Sequence, residues 1–241
     1  MSSFVNDVKN FFGNGRNNEE GKSLETFLME YDPNRYQNPS VTADILVFQK
    51  PEKDSDLEHG LKLLLIQRKN HPCIGWWALP GGFVEIQEDI DKAAARELLE
   101  ETGLCGIPME QIYTFGKQDR DPRTRIVTVA YLAFLEGNQN LVAGDDAAEA
   151  EWFSVKIEKV SEDFFEADNI TSKHKRKRVR YHIAAACGKN DNRRAEATVD
   201  YVTNVDTLLL QEDYEVINSN GIAFDHPAFI LRGYQLLKKR M

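Results

Sequence analysis

Residues 82–104, GFVEIQEDIDKAAARELLEETGL, constrain this chain more than any other stretch. Gly81 and Gly82 follow Pro80 and permit a tight turn out of a strand. Glu88, Asp89 and Asp91 then crowd what reads as the first turn of a helix, where negative charge suits the helix dipole. Ala93, Ala94, Ala95, Leu98 and Leu99 favour helix, and Gly103 stands where a glycine stop is expected. At about 100° per residue, Glu97, Glu100 and Glu101 share an arc of about 100°. That arc continues a stripe begun by Ile90, Ala93 and Ala94, while Leu98, Leu99 and Ala95 fall on other faces, which predicts packing on more than one side. Acids on an apolar stripe break the binary pattern, and such breaks mark function. Three carboxylates this close repel one another, so a hard divalent cation such as Mg2+ or Mn2+ is expected between them. On the glutamates alone, a solvated acidic helix with Arg96 as ion-pair partner is the competing reading. The spacing of glycine, glutamate and arginine around them decides against it.

The stretch resembles the Nudix box, G-x5-E-x7-R-E-U-x-E-E-x-G-U with U aliphatic. Every specified position matches: Gly82, Glu88, Arg96, Glu97, Leu98, Glu100, Glu101, Gly103 and Leu104. The resemblance implies an α/β protein, a Nudix-type α/β/α sandwich with a mixed sheet, that hydrolyses a nucleoside diphosphate linked to another group. Carried over by position, it implies that Glu97, Glu100 and Glu101 are catalytic and hold Mg2+ (or Mn2+), with the Gly81 carbonyl as a further ligand. Glu88 and Arg96 would pair structurally.

Looser matches are similar to one branch of that superfamily, the ADP-ribose pyrophosphatases and the ADP-ribose-responsive Nudix-related regulators of NAD metabolism. They are FLMEYDPNRYQNPSVTADILVF, GWWALPGGFV, QIYTFGKQDRDPRTRIVTVAYLAFL, GDDAAEAEWF and AFDHPAFIL. The regulators add a DNA-binding winged helix and often have eroded boxes. Here the box is intact and little chain follows FDHPAFIL, so an enzyme is expected, giving AMP and ribose 5-phosphate from ADP-ribose. The alternatives are an ADP-ribose sensor without significant turnover, or a pyrophosphatase for another nucleotide. The resemblance also implies a homodimer.

At 241 residues the chain suffices for one domain with additions. We expect an extension over 1–38 and the Nudix domain over 39–241, with an insertion at about 156–221. The formal net charge of -9 argues against general nucleic-acid or anionic-membrane binding. No apolar run suits a bilayer, the N-terminus lacks a secretory pattern, and Cys73, Cys105 and Cys187 are odd in number and scattered. A cytoplasmic protein is therefore expected. Strands are predicted over 41–49, 61–68, 76–79, 111–116, 126–135 and 149–155, with a loop at PEKDSDLEHG. SLETFLMEYD predicts a short helix opened by Ser23, and FDHPAFILRGYQLLKKR a terminal one. RVRYHIAAAC and AEATVDYVTNV flank the polar turn GKNDNRR and predict a long inserted β-hairpin.

Beyond the box, the attacking water needs a proton acceptor. Asp145, Asp146 and Glu149 precede the Trp152 strand, where many Nudix enzymes carry another acid, and Asp146 or Glu149 is the expected acceptor. Arg68, Arg120, Arg123 and Arg125 are candidates for the phosphates or terminal ribose, because arginine binds phosphate bidentately. Phe115 or Trp77 could stack on adenine, against core packing as the plainer reading. His71, His174, His182 and His226 lack metal-like spacing and read as structural or surface residues. The basic run TSKHKRKRVR reads first as a solvated loop. A nucleic-acid patch is the weaker alternative, because no aromatic stacking series accompanies the run, and a contact with an acidic partner subunit or with substrate phosphates would also explain it.

Overall fold

The computed structural model describes residues 4–5, 7–50, 57, 60–137, 149–169, 172–188, 193–205 and 207–241. The chain divides into two units, Met1–Asn38 and Pro39–Met241. In the first, α1 (Leu24–Glu30) is opened by Ser23, whose hydroxyl accepts the Thr26 N–H.

The second unit is organised by β1 (Ser40–Lys50), which is buried along almost its whole length. Successive strand side chains face opposite sides. Ala43, Ile45 and Val47 therefore meet one core cluster, while Leu46 and Phe48 meet another. The first cluster holds Ala94 and Leu98 of α2 (Ile90–Thr102), and the second holds Phe229, Ile230 and Tyr234 of α3 (His226–Arg240). This is the expected α/β/α sandwich, and it exists because one strand is apolar on both faces. Each such fully buried side chain contributes about 1.5–3 kcal/mol. A Cβ on Gly233 would land on the Leu46 side chain, so α3 lies close against β1.

The remaining strands are β2 (Lys62–Gln67), β3 (Trp77–Ala78), β4 (Gly81–Phe83), β5 (Glu110–Phe115), β6 (Ile126–Glu136), β7 (Ala150–Asn169), β8 (Ser172–Cys187), β9 (Arg193–Asn204) and β10 (Glu212–Asn220). They form one mixed sheet in the order β10-β9-β8-β7-β2-β1-β6-β5, with β3 on β2 and β4 on β1. β1 runs parallel to β6 and antiparallel to β2 and β4. Among the described residues, no helix is long and apolar enough to cross a membrane.

Three expectations change. The box helix packs on one face, because Ala93, Ala94, Leu98 and Thr102 are buried while Leu99 is 47% exposed. The strand expected over 149–155 continues to Asn169 as β7. The hairpin exists as β8 and β9, but it lies inside a four-stranded extension of the main sheet with β7 and β10 flanking it. The basic run is therefore strand rather than loop. Its cations meet acids of β7 and β9: Arg178 with Asp163, Lys177 with Glu162, Arg180 with Asp200. Opposite charges across strands stabilise the pairing without an apolar pattern. The side chains of Lys173 and His174, and most of PEKDSDLEHG, lie outside the described residues.

Candidate active site

The turn from β4 into α2 leaves no room for side chains at two positions. A Cβ on Gly81 would strike the backbone of Ala43 and Asp44, and one on Gly82 would land on the Glu97 carboxylate. Bare backbone there lets the Gly81 N–H donate to Glu101 Oε2 at 2.8 Å. Arg96 holds the loop to the helix. Its Nε and Nη2 donate to both Glu88 oxygens at 2.9 and 2.8 Å, and Nη2 reaches the Phe83 carbonyl at 3.2 Å. This bonding keeps the Glu88 carboxyl below its usual value. Arg96 Nη1 also donates to Glu97 Oε1 at 2.7 Å and to Glu100 Oε2 at 3.1 Å. With Arg96 so placed, no group of three His, Cys, Asp or Glu among the described residues already stands in ligating arrangement. Gly103 closes the helix in the left-handed conformation and bonds the Leu99 carbonyl.

Beside this turn lies a cavity of about 180 Å³, into which Glu101, Gly81, Gly82, Arg68, Arg120 and Arg123 are brought together. Burial pushes the Glu101 carboxyl up to about 8; the Gly81 N–H and the Arg68 charge oppose this, and the charges of Glu97 and Asp44 add to it. Asp44, in the middle of β1, is also in the lining, and burial raises it to about 6 against the charge of Arg120 and the Thr128 hydrogen bond. The Thr128 hydroxyl donates to Asp44 Oδ2 at 3.0 Å, accepts from Arg120 Nη1 at 3.1 Å and meets the Thr42 hydroxyl. Arg120 Nε and Nη2 grip both oxygens of Asp225 at 2.9 and 2.7 Å.

Phe224, Asp225 and His226 come from the far end of the chain. Trp77 N–H donates to the Gly221 carbonyl and Ala223 N–H to the Trp77 carbonyl, each at 2.8 Å, which ties the segment before α3 to β3. Phe224 has φ 51, a left-handed conformation that non-glycine residues rarely adopt. Its ring lies beneath two guanidiniums, with Arg68 Cζ at 4.8 Å and Arg123 Cζ at 5.8 Å from the centroid. His226 Nδ1 accepts the Leu79 N–H at 2.9 Å, and burial depresses the imidazole to about 3.

Other expected residues lie elsewhere. Phe115 is buried and stacks at 3.7 Å on Phe229, and Trp77 is buried with its ring edge-on to Phe153, so core packing claims both aromatics. Arg125 donates to the Gly116 and Lys117 carbonyls, where it braces the loop after β5. Glu149 pairs with Arg193 at 3.2 Å and is not in the cavity lining. Asp145 and Asp146 lie outside the described residues. The sequence reading missed Asp44, Thr128, Phe224 and Asp225 and took His226 for a structural or surface residue. A signal existed for two of them: an acid in the otherwise apolar strand TADILVF, and the polar FDH before a terminal amphipathic helix.

The NUDIX domain profile matches residues 39–173, more than half of the chain. The chain belongs to the Nudix family. Among characterised Nudix relatives, it is 41% identical over 120 residues to the ADP-ribose pyrophosphatase of Methanocaldococcus jannaschii, covering 50% of this chain and 64% of that protein. It is 35% identical over 136 residues to the ADPR responsive transcriptional repressor NtrR of Acinetobacter baylyi, covering 56% and 52%. The chain thus spans between half and two thirds of these relatives' lengths. A solved MutT/nudix family protein from Enterococcus faecalis matches at 30% identity and a TM-score of 0.60, covering 98% of this chain and 76% of that one. That likeness takes in the β7–β10 extension, which the profile covers only to residue 173.

Proposed function

We propose that this Nudix protein is a divalent-metal-dependent pyrophosphohydrolase that cleaves ADP-ribose with water to AMP and ribose 5-phosphate. The observation that carries the reading is the Glu101 carboxyl. It lies half-buried in the cavity lining, crowded by the charges of Glu97 and Asp44, and balanced only in part by the Gly81 N–H and Arg68. Hard oxygen donors with surplus negative charge suit Mg2+ or Mn2+. Glu97, Glu100, Glu101 and the Gly81 carbonyl are the groups proposed to hold it. Glu97 and Glu100 would exchange their bonds to Arg96 Nη1 for the ion, with Glu88 retaining Arg96. When bound, such an ion supplies charge neutralisation at the diphosphate and lowers the pKa of a bound water.

The arginines divide the remaining work. Arg120 spends all three of its nitrogens on Asp225 and Thr128, whereas Arg123 spends Nε and Nη2 on Asp121 and Arg68 its Nε on the Pro72 carbonyl; Arg68 and Arg123 flank Phe224 in the lining and are proposed to grip phosphate oxygens with their other nitrogens. Asp146 or Glu149 stays the proposed proton acceptor, Glu149 by giving up its exposed pair with Arg193. The substrate class is supported by the two relatives, one named as a pyrophosphatase of ADP-ribose and the other as a repressor responsive to it.

The deciding assay is AMP release from ADP-ribose with Mg2+, run beside a Glu101→Gln variant and a panel of other nucleotides. Metal-dependent turnover that prefers ADP-ribose and disappears in the variant is the expected result. Preference for another nucleotide would overturn the substrate. ADP-ribose binding without turnover of anything would overturn the enzyme in favour of a sensor.

A further inference from the structure

His226 has one hydrogen-bonding direction left over. It is the first residue of α3, only 4% exposed, and it lines the same cavity as Glu101. Because Nδ1 accepts the Leu79 N–H, its lone pair is used there and the ring proton sits on Nε2. The depressed imidazole stays neutral, so this tautomer persists. Nε2 stands 3.8 Å from Asp44 Oδ1, outside hydrogen-bonding range. Among the described residues no hydrogen bond satisfies it. Asp44 Oδ2 accepts the Thr128 hydroxyl. The ring is oriented from far away in the chain: its Nδ1 is held by the backbone of Leu79, 147 residues earlier and two residues before Gly81.

Nε2 is not one of the fully enclosed unpartnered polar atoms among the described residues, so it opens on the cavity, where a bound group can reach it. The acceptor must arrive from outside, and it arrives in a cavity lined by Arg68, Arg120 and Arg123. Those cations select an anionic oxygen. A neutral N–H held by backbone and by the start of a helix costs no reorganisation when charge accumulates on such an oxygen. We propose that His226 Nε2–H is a fixed hydrogen-bond donor to a phosphoryl oxygen of the diphosphate bound in this cavity, an inference that rests on the pyrophosphohydrolase reading above. Asp44 and Thr128 keep that side of the cavity polar, and Asp225 sets the adjacent Arg120.

Two substitutions separate this role from a structural one. His226→Gln supplies an amide oxygen for the Leu79 N–H and an amide N–H for the cavity. His226→Met fills similar volume and supplies neither. With ADP-ribose and Mg2+, the Gln variant should retain kcat within about 3-fold, and the Met variant should lose roughly 100-fold, with a smaller change in KM. Equal kcat per folded molecule in both variants would overturn the proposal. Inorganic pyrophosphate with Mg2+, titrated calorimetrically, tests the donor apart from the substrate. If wild type fails to turn over ADP-ribose, weaker pyrophosphate binding in the Met variant alone upholds the donor while the substrate reading falls. Identical affinities in all three chains sink the donor. Should the Met variant not fold, the Nε2–H signal of 15N-histidine-labelled wild type decides: a downfield shift on adding pyrophosphate is expected, and an unmoved signal overturns the proposal.

Discussion

Arg120 and Arg178 make the same bond in two regions of the molecule. Each sets two guanidinium nitrogens against both oxygens of one aspartate, Asp225 for Arg120 at 2.9 and 2.7 Å and Asp163 for Arg178 at 3.0 and 2.5 Å. The first pair braces the cavity, with side chains 6% and 21% exposed; the second lies on the β7–β8 ribbon at 40% and 52%. On the ribbon, acids and bases pair across strands and water screens what is left. In the cavity, Arg120 and Arg123 are already bound to Asp225 and Asp121, and burial raises the carboxyls of Glu101 and Asp44, with the charge of nearby Glu97 adding to both. Dense charge in sequence therefore marks a site only where the fold withholds both solvent and a partner. The basic run of β8 has the charge and lacks the other conditions.

The contrast can be broken from its strongest side first. Arg120→Met leaves the part-buried Asp225 without its partner and Thr128 without that donor, so we expect a loss of about 2–3 kcal/mol in urea unfolding, below the full cost of breaking a buried pair. A loss indistinguishable from zero would mean the cavity network is as replaceable as the ribbon. Gly82→Ala comes next. Its backbone lies outside the left-handed region, so the clash with the Glu97 carboxylate is the operative effect. A misplacement of that size should lower kcat roughly 100-fold while the melting temperature moves little. Wild-type turnover in that variant would detach Glu97 from the chemistry.

A pH series sharpens the comparison further. The His226 ring lies near 3 when folded against an ordinary value of 6.5, so the unfolded chain takes up the proton first. Its contribution is full above about 6.5 and is lost as pH falls toward 3, by at most about 1.4 kcal/mol per pH unit. Asp44 and Glu101, held up to about 6 and about 8, give the opposite slope in both chains and cancel when wild type is compared with His226→Gln. The difference curve should thus decline below about 6.5, and a flat one would place the ring in water. The smallest effect belongs to Arg178→Met, which should leave the urea midpoint unchanged; a clear drop would show that the ribbon charges hold the extension together.

Much of the central unit was legible because it repeats simple patterns. The apolar runs of β1, β2 and β6 read as strands, and the alanine-rich helix with its Gly103 stop read as α2. The extension of β7 was not legible, because KVSEDFFEAD alternates no apolar face and its strand state rests on backbone pairing with β8, which a sequence does not display. Leu99 looked like a second packing face, but the sheet covers only the side of α2 that carries Ala94 and Leu98. Trp77 and Phe115 show the same limit. An aromatic side chain suits a core and a base platform equally, and only the neighbours Phe153 and Phe229 decide between them.

The sequence by itself determined the local chemistry of residues 81–104. Helical periodicity places Glu97 and Glu101 one turn apart, and a side chain on either glycine would collide with what the turn must approach. Tertiary structure decided what faces those acids. Asp44 reaches the cavity because β1 pairs with β4 through Gly81, and His226 reaches it because the segment before α3 bonds to Trp77. Those contacts join residues far apart in the chain through backbone hydrogen bonds, and backbone groups carry no side-chain pattern that a sequence could display.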